Sequence, residues 1–318
     1  MTLKIFLEVV EIKTKIASVF PFLIGVLFSI NFFGEFHLGL TLLFLLAMLI
    51  FDMTVTAINN YQDYQKAKLD TYKYEHNVIG REKLSPKLVR NMILCMLIVS
   101  AVLGIVLTWL TGWMLLFLGA ICFFIGIFYT YGPIPLSRMP LGEIFSGFTM
   151  GLGIFAMIVY VNTASAKVFS FMLDFSGNAF ALSGSITSVL AIFWASLPLV
   201  FTIANIMLAN NLRDLDTDVK NHRYTLVYYI GRKRGIHLFQ VMMLASYLVL
   251  ILGVLFRVFD WPVLFALSTF VPIRNNLKAH RSEVPAPHSF VYSLKNMVMF
   301  NTSYALGLVL SIVWQHLF

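Results

Sequence analysis

Long apolar stretches separated by shorter polar ones run along almost the whole chain. An α-helix needs about 20 apolar residues to cross the hydrocarbon core of a membrane. On this basis we predict nine membrane-spanning helices, at 16–33, 38–58, 90–110, 113–130, 141–162, 188–209, 236–256, 259–273 and 296–317. The eighth is short and contains Pro262 and Pro272, so we expect a tilted or broken helix there. The pattern predicts an all-α polytopic membrane bundle, with residues 1–318 forming a single integral-membrane domain.

Composition supports this fold class and excludes several others. Of the 318 residues 59% are hydrophobic and 12% are charged, and the mean hydropathy is +0.83. Soluble domains carry about twice that share of charge, so a soluble enzyme, a disordered chain and a coiled coil are excluded. Cys95 and Cys122 lie in apolar runs and have neither metal-ligand nor disulfide spacing.

The net charge of +8 is best explained by the membrane rather than by nucleic acid. With a cytoplasmic N-terminus, all Lys and Arg residues except Lys167 and Arg257 fall on the cytoplasmic side. This bias predicts a multi-pass protein of the cell membrane with four cytoplasmic loops, which also carry the candidate site, at 59–89, 131–140, 210–235 and 274–295.

Two similar acidic motifs occur at the predicted cytoplasmic ends of the second and sixth spans. In each, one Asp follows an Asn pair, four residues after the first Asn and three after the second. This spacing places the first Asn and the Asp on the same helix face. Both motifs lie on one side of the membrane, so a bundle can bring them together. They consist of Asn59, Asn60, Asp63 and then Asp70, and of Asn210, Asn211, Asp214 and Asp218.

Clustered carboxylates repel each other unless a cation lies between them, and hard oxygen ligands of this kind suit Mg²⁺. The two motifs therefore predict a two-metal site for a diphosphate, in which Asp63, Asp70, Asp214 and Asp218 bind metal and the Asn residues assist. Basic side chains that could neutralise phosphate oxygens are Lys66, Arg81, Lys83, Arg213 and Lys220. Any single Asp at such a position could instead be an ordinary solvated loop residue.

These motifs resemble those of the UbiA superfamily of membrane prenyltransferases, with the 1,4-dihydroxy-2-naphthoate polyprenyltransferases most similar. The resemblance extends in order and spacing over nearly the whole chain. In place of the usual Asn-Asp this chain has Asn59-Asn60, so one carboxylate is missing from the first motif. The similar stretches are Asn59 to Asp63 with Asp70, Tyr129 to Pro133, Pro140 to Glu143, Asn210 to Asp214 with Asp218, and Thr225-Leu226 with Gly231.

The resemblance implies a prenyl transfer that requires Mg²⁺. A polyprenyl diphosphate ionises at its C1–O bond, and an electron-rich aromatic ring, expected to be 1,4-dihydroxy-2-naphthoate, attacks the allylic cation to give demethylmenaquinone. Glu143 matches an acidic position of the family and is expected to be catalytic, as are Asp63, Asp214 and Asp218. Tyr131 lies at a depth where its ring could stabilise the cation.

Several alternatives remain open at this stage. The acceptor could be 4-hydroxybenzoate, haem or a glycerol ether, or the protein could be a secondary transporter, although transporters place their ionisable groups near the bilayer midplane. Asp52 lies within the second span on the face of Asn59 and Asp63, where it could bind substrate or form a hydrogen bond between helices. Membrane lipid is an expected partner, whereas nucleic acid and an obligate protein partner are not.

Overall fold

A computed structural model describes residues 1–67, 72–129, 136–166, 168–174 and 176–317. The described chain is almost entirely helical, as the apolar pattern predicts. Its α-helices are α1 (Leu3–Val9), α2 (Ile16–Phe28), α3 (Leu38–Lys66), α4 (Val78–Arg81), α5 (Pro86–Thr111), α6 (Trp113–Phe128), α7 (Gly142–Ser146), α8 (Phe155–Thr163), α9 (Ile186–Lys220), α10 (Leu226–Ile230), α11 (Arg232–Leu255), α12 (Phe270–Glu283) and α13 (Val291–Leu317).

Short 3₁₀ and π segments extend or join these helices. A 3₁₀ turn and a π turn flank α2, a π segment makes α7 and α8 one continuous helix, and 3₁₀ turns lead into α12 and α13. Two further segments lie in the connections that precede α4 and α7. In chain order the segments are Ile12–Lys15, Ser29–Phe33, Tyr72–His76, Leu136–Arg138, Gly147–Ile154, Trp261–Thr269 and Pro287–Phe290.

Seven stretches of the described chain are helical, long and apolar enough to cross a membrane: Ile12–Phe33, Leu38–Lys66, Pro86–Thr111, Gly142–Thr163, Ile186–Lys220, Arg232–Leu255 and Pro287–Leu317. The other two predicted spans differ from these. The fourth is the shorter helix α6, and the eighth begins as the 3₁₀ segment Trp261–Thr269, with Pro262 near its start, before α12. The integral-membrane bundle is confirmed, but the predicted count of nine spans is not.

Tight contacts between helices, rather than exclusion of water, hold such a bundle together in lipid. A Cβ atom at Gly151 would lie 2.6 Å from the backbone nitrogen of Val200, so the π segment and α9 touch backbone to backbone. Tyr304 of α13 is fully buried, and its hydroxyl donates a hydrogen bond of 3.1 Å to the Ala195 carbonyl of α9. The helix α9, which carries the second acidic motif nearer its end, is therefore held in place from two sides.

A second, smaller apolar cluster fastens the connection between α3 and α5. Val9 and Val10 from the N-terminal segment pack with Val78 and Ile79 of α4 and with Ala57 of α3. Tyr61 and Tyr64 of α3 also pack against this cluster. The cluster lies directly beside the last turns of α3 and so orients the first acidic motif.

The segment between α8 and α9 forms a β-hairpin that the all-α prediction did not include. Strand β1 (Phe169–Asp174) pairs antiparallel with β2 (Ala179–Gly184), with Phe169 opposite Gly184. The Asp174 side chain accepts hydrogen bonds from the backbone N–H groups of Ser176 and Gly177. Together with a bond from the Ser176 hydroxyl, these hold the pKa of Asp174 below its usual value.

His280 of α12 is buried completely in the protein interior. Its ring stacks on Phe239 of α11 with a centroid distance of 4.1 Å, and neither ring nitrogen has a hydrogen-bond partner in the described chain. Burial disfavours the charged imidazolium and lowers the pKa of His280 from 6.5 to about 4.

We therefore expect the stability of the protein to fall as the pH drops from 7 to 4. Below pH 6.5 the unfolded chain binds a proton at His280 that the folded protein does not bind until about pH 4, so the folded state loses about 2 kcal/mol by pH 5. Thermal unfolding in detergent at pH 7 and pH 5 measures the loss. His280→Phe should reduce this pH dependence, whereas His316→Phe, at an exposed position, should not. An equal pH dependence in both variants would contradict this assignment.

Candidate active site

The two acidic motifs lie at the same end of the bundle, which we call the polar end. We define it by the last turns of α3 and α9 and by the described residues of the connections that follow α3, α6 and α9. Its parts touch: the backbone N–H of Tyr224 donates to the Arg138 carbonyl at 3.2 Å, and Asn77 donates to the Asn60 carbonyl at 3.0 Å. The polar end therefore gathers residues from widely separated parts of the sequence.

Arg223, in the connection after α9, links the two motifs. Its guanidinium lies 3.4 Å from Oδ1 of Asp218 and also attracts Asp63 at the end of α3. Asp218 is buried, and its Oδ2 has no hydrogen-bond partner in the described chain. One cation thus compensates part of the negative charge that the two helices bring together.

Asp214, one turn before Asp218, is engaged by its own neighbour. The Arg213 guanidinium contacts both Asp214 oxygens, at 2.7 and 2.5 Å, and also donates to Oδ1 of Asn210. The same group lies over the ring of Phe290, 5.1 Å from its centre. Asp214 would have to release part of this pair to bind a metal ion.

Glu143 and Asn211 form a buried pair beside the second motif. Nδ2 of Asn211 donates to Oε1 of Glu143 at 2.8 Å, whereas Oε2 of Glu143 has no partner in the described residues. Both side chains are almost completely buried. Tyr129, at the end of α6, is close enough to interact electrostatically with both Glu143 and Arg223.

The Asn pair of the first motif divides between two directions. Oδ1 of Asn59 is buried without a partner among the described residues, and Asn59 lines an apolar cavity of the bundle. Asn60 turns the other way, and its amide donates to the Val9 carbonyl and to Glu11. Asn59 therefore belongs to the candidate site, whereas Asn60, predicted to bind substrate, is engaged by the N-terminal segment.

The predicted phosphate-binding cations lie in varied positions. Lys66 is exposed but acts electrostatically on Asp63, while Lys83 and Lys220 are exposed and make no hydrogen bond or ion pair that the structure records. Arg81 forms ion pairs with Glu8 and Glu82. Arg138, which also acts on Asp63, was not among the candidate residues. The sequence does not indicate this role, because Arg138 comes near Asp63 only through the contact between its own segment and the connection after α9.

Two further candidates, Asp70 and Tyr131, lie outside the described residues. Their expected roles as a metal ligand and as a catalytic aromatic group stay predictions.

A cavity of about 790 Å³ extends from the polar end into the apolar interior. Asn59 and Tyr129 line it near the polar end, and Leu107 and Leu115 line it where α5 turns into α6 near the opposite end of the bundle. Its wall is almost wholly apolar, apart from an ion pair between Asp52 of α3 and Lys15 just before α2. Such a cavity is suited to a long hydrocarbon chain attached to a polar head group.

The polar end offers oxygen ligands for a metal ion, although no preformed cage. Within the described chain, no three His, Cys, Asp or Glu residues lie close enough to enclose a metal. Mg²⁺ commonly binds through one or two carboxylates, and water and substrate phosphates complete its shell. The unpartnered buried oxygens of Asp218 and Asn59, with the carboxylate of Asp63, fit that mode of binding.

Comparison with known proteins decides the family. Residues 18–286, most of the chain, match the UbiA prenyltransferase family. The chain belongs to the UbiA prenyltransferase family. It is therefore a membrane-embedded polyprenyltransferase, and the matched region includes both acidic motifs.

Individual relatives agree with this assignment. The chain is 25% identical over 301 residues to the 1,4-dihydroxy-2-naphthoate octaprenyltransferase of Bacillus subtilis (strain 168), covering 94% of this chain and 88% of the relative. Its fold matches a UbiA homologue from Aeropyrum pernix K1 with a TM-score of 0.66 and 15% identity, over 92% and 98% of the two chains. A UbiA homologue from Archaeoglobus fulgidus, solved with GPP and Mg²⁺, gives a TM-score of 0.64 and 13% identity over 96% and 99%.

Loss of the Asn211 amide should destabilise the protein, because the buried Glu143 carboxyl would lose its one recorded side-chain partner. We expect Asn211→Leu to cost about 1–3 kcal/mol. The neighbouring Asn210→Leu is the matched control, since Asn210 is half-buried and Arg213 retains its bonds to Asp214. Thermal unfolding of both variants in one detergent measures the difference, and equal unfolding temperatures would contradict the role given to Asn211.

Proposed function

We propose that this protein transfers a polyprenyl group from polyprenyl diphosphate to 1,4-dihydroxy-2-naphthoate. The observation that carries the proposal is the apolar cavity that is lined at the polar end by Asn59 of the first acidic motif and by Tyr129. A polar end with an apolar cavity behind it matches the head group and the hydrocarbon chain of a prenyl diphosphate. The naphthoate acceptor is supported by the Bacillus subtilis relative, which aligns with 94% of the chain.

In this reaction the C1–O bond breaks and its electron pair leaves with the diphosphate. A ring carbon of the acceptor supplies the pair for the new C–C bond and regains aromaticity by losing its proton, or its carboxyl group as CO₂. The apolar cavity wall keeps water away from the allylic cation, and the faces of Phe and Tyr rings such as Tyr129 attract its positive charge. Arg223 and Arg138 are placed to attract the departing negative charge.

Mg²⁺ bound at the polar end would neutralise the diphosphate and make it a better leaving group. Asp63 and Asp218 would hold it, with Asn59 and Asp214 as further oxygen ligands. The solved Archaeoglobus fulgidus relative that contains GPP and Mg²⁺ supports this choice of metal and substrate class. Glu143 would keep Asn211 and the adjoining turn of α9 in position.

We further propose that the protein resides in the cell membrane with its polar end on the cytoplasmic side. The support for this orientation is the concentration of Lys and Arg in the loops of that end. The diphosphate substrate would then reach the site from the cytoplasm, while its hydrocarbon chain enters the cavity within the bilayer.

The test of function uses the purified full-length protein, Mg²⁺ and a labelled polyprenyl diphosphate. Four parallel reactions contain 1,4-dihydroxy-2-naphthoate, 4-hydroxybenzoate, haem and a glycerol derivative. We expect labelled product with the naphthoate, and loss of the reaction when EDTA removes the metal. Product with a different acceptor would replace the naphthoate in the proposal, and the absence of diphosphate release with all four would contradict it.

Asp218→Asn should reduce prenyl transfer by about 10²- to 10³-fold, because the buried carboxylate of the second acidic motif would lose its charge. Asp216→Asn is the matched control. Asp216 lies two residues away on the same helix, but its side chain is 70% exposed and pairs with Arg232. The ratio of the two rates under saturating Mg²⁺ is the measurement. Similar rates in the two variants would remove Asp218 from the metal site.

A further inference from the structure

The ion pair between Lys15 and Asp52 interrupts the otherwise apolar wall of the 790 Å³ cavity described above. Among the described residues that line this cavity, these two are the only charged side chains. The pair lies 2.9 Å apart at the level of the membrane-spanning part of α3. A charge pair at such a depth is costly and needs a physical reason.

The hydrogen bonds already made by Lys15 and Asp52 show which of these two side chains can still bind a ligand. The Lys15 ammonium has three donors, and they reach Oδ1 of Asp52, the Asp52 carbonyl and the hydroxyl of Thr56. Lys15 is thus saturated and has no donor left for a substrate anion.

Asp52 retains acceptor capacity. Its Oδ1 accepts from Lys15, and its Oδ2 lies 2.6 Å from the hydroxyl of Ser18, whereas a carboxylate offers about four lone-pair positions. The Asp52 side chain is 19% exposed, compared with 5% for Lys15. The pair therefore presents a carboxylate, rather than an ammonium group, to the cavity.

The distance between Asp52 and Asp63 at the polar end would accommodate an aromatic ring between them. Asp52 precedes Asp63 by eleven residues on the same helix, which corresponds to about 16 Å along the axis. A diphosphate and its C1 atom, followed by an aromatic ring, fit within such a length. A hydroxyl group on the far side of that ring would then reach Asp52.

We propose that Asp52 accepts a hydrogen bond from a phenolic hydroxyl of the aromatic acceptor, and that Lys15 is a positioning residue that holds the carboxylate in place. The inference rests on the proposed prenyl transfer to an aromatic ring and adds the recognition site for that ring. The hydroxyl is the donor that the unused acceptor positions require. In 1,4-dihydroxy-2-naphthoate the hydroxyl that bonds Asp52 would be the 4-hydroxyl, and this orientation would turn the carboxyl-bearing C2 toward the polar end.

The competing explanation is that the pair only fastens the start of α2 to α3. Both explanations predict a loss of stability when one partner is removed, so single variants do not separate them. Replacing both partners with apolar residues of similar size removes the charges together and is often tolerated by the fold. The variant Lys15→Met/Asp52→Leu therefore tests recognition, and Lys15→Asp/Asp52→Lys, which keeps an ion pair but reverses it, is the second variant.

The experiment measures equilibrium binding of 4-hydroxy-2-naphthoate and of 4-methoxy-2-naphthoate to the full-length protein without prenyl diphosphate. We expect the unmodified protein to prefer the hydroxyl compound by about 10- to 100-fold, since the methyl ether leaves an acceptor unpaired. Both double variants should lose that preference, while their Km for polyprenyl diphosphate changes less than threefold. Asp260→Asn is the control, because Asp260 binds Gln315 and Asn31 and does not line this cavity.

The outcomes separate this inference from the proposed function. Hydroxyl-selective binding that is lost in the variants supports the inference even if no acceptor is prenylated, a result that would contradict the proposed function alone. Equal binding of the two compounds by the unmodified protein would overturn the inference, as would an unchanged preference in a folded double variant. Weak binding of both compounds by every protein would also overturn it.

Discussion

The arrangement of the candidate site depends on compensating the negative charge of the Asp side chains at one end of an apolar helical bundle. Asp63 lies near the end of α3 and Asp218 near the end of α9, and Arg223 acts on both carboxylates. Carboxylates gathered at one end of a bundle raise each other's energy unless cations compensate their charge. The same arrangement leaves Oδ2 of Asp218 buried without a partner among the described residues, and so available to a metal ion or a substrate.

A second constraint is that a charged side chain buried within the bundle needs a partner of opposite charge or a hydrogen-bond donor or acceptor. Lys15 and Asp52 satisfy each other at 2.9 Å, and Glu143 is satisfied in part by Asn211. The carboxylates of Asp52 and Glu143 also retain unused acceptor positions. A polar group that is paired but keeps a free acceptor position can recognise a ligand inside an apolar cavity. The existing pair keeps the fold stable, and a ligand with a matching donor still gains a hydrogen bond.

Much of the architecture could be predicted from the length of the apolar stretches, but three features could not. The turn from α5 into α6 leaves only 16 residues for α6, and the eighth predicted span begins as the 3₁₀ segment Trp261–Thr269. The hairpin of β1 and β2 was missed because its strands are short and irregular in pattern. Its pairing depends on a turn closed by Asp174, which composition does not reveal.

The sequence by itself determined the membrane class, the two acidic motifs and the family, because apolar length and short-range helical spacing are local properties of the chain. The tertiary structure alone decided which polar groups face the same space. It directs Asn59 to the cavity and Asn60 to the N-terminal segment, although the two are neighbours. It also joins Lys15 to Asp52 across 37 residues, since a buried charge is stabilised by whichever partner the packing of helices brings near.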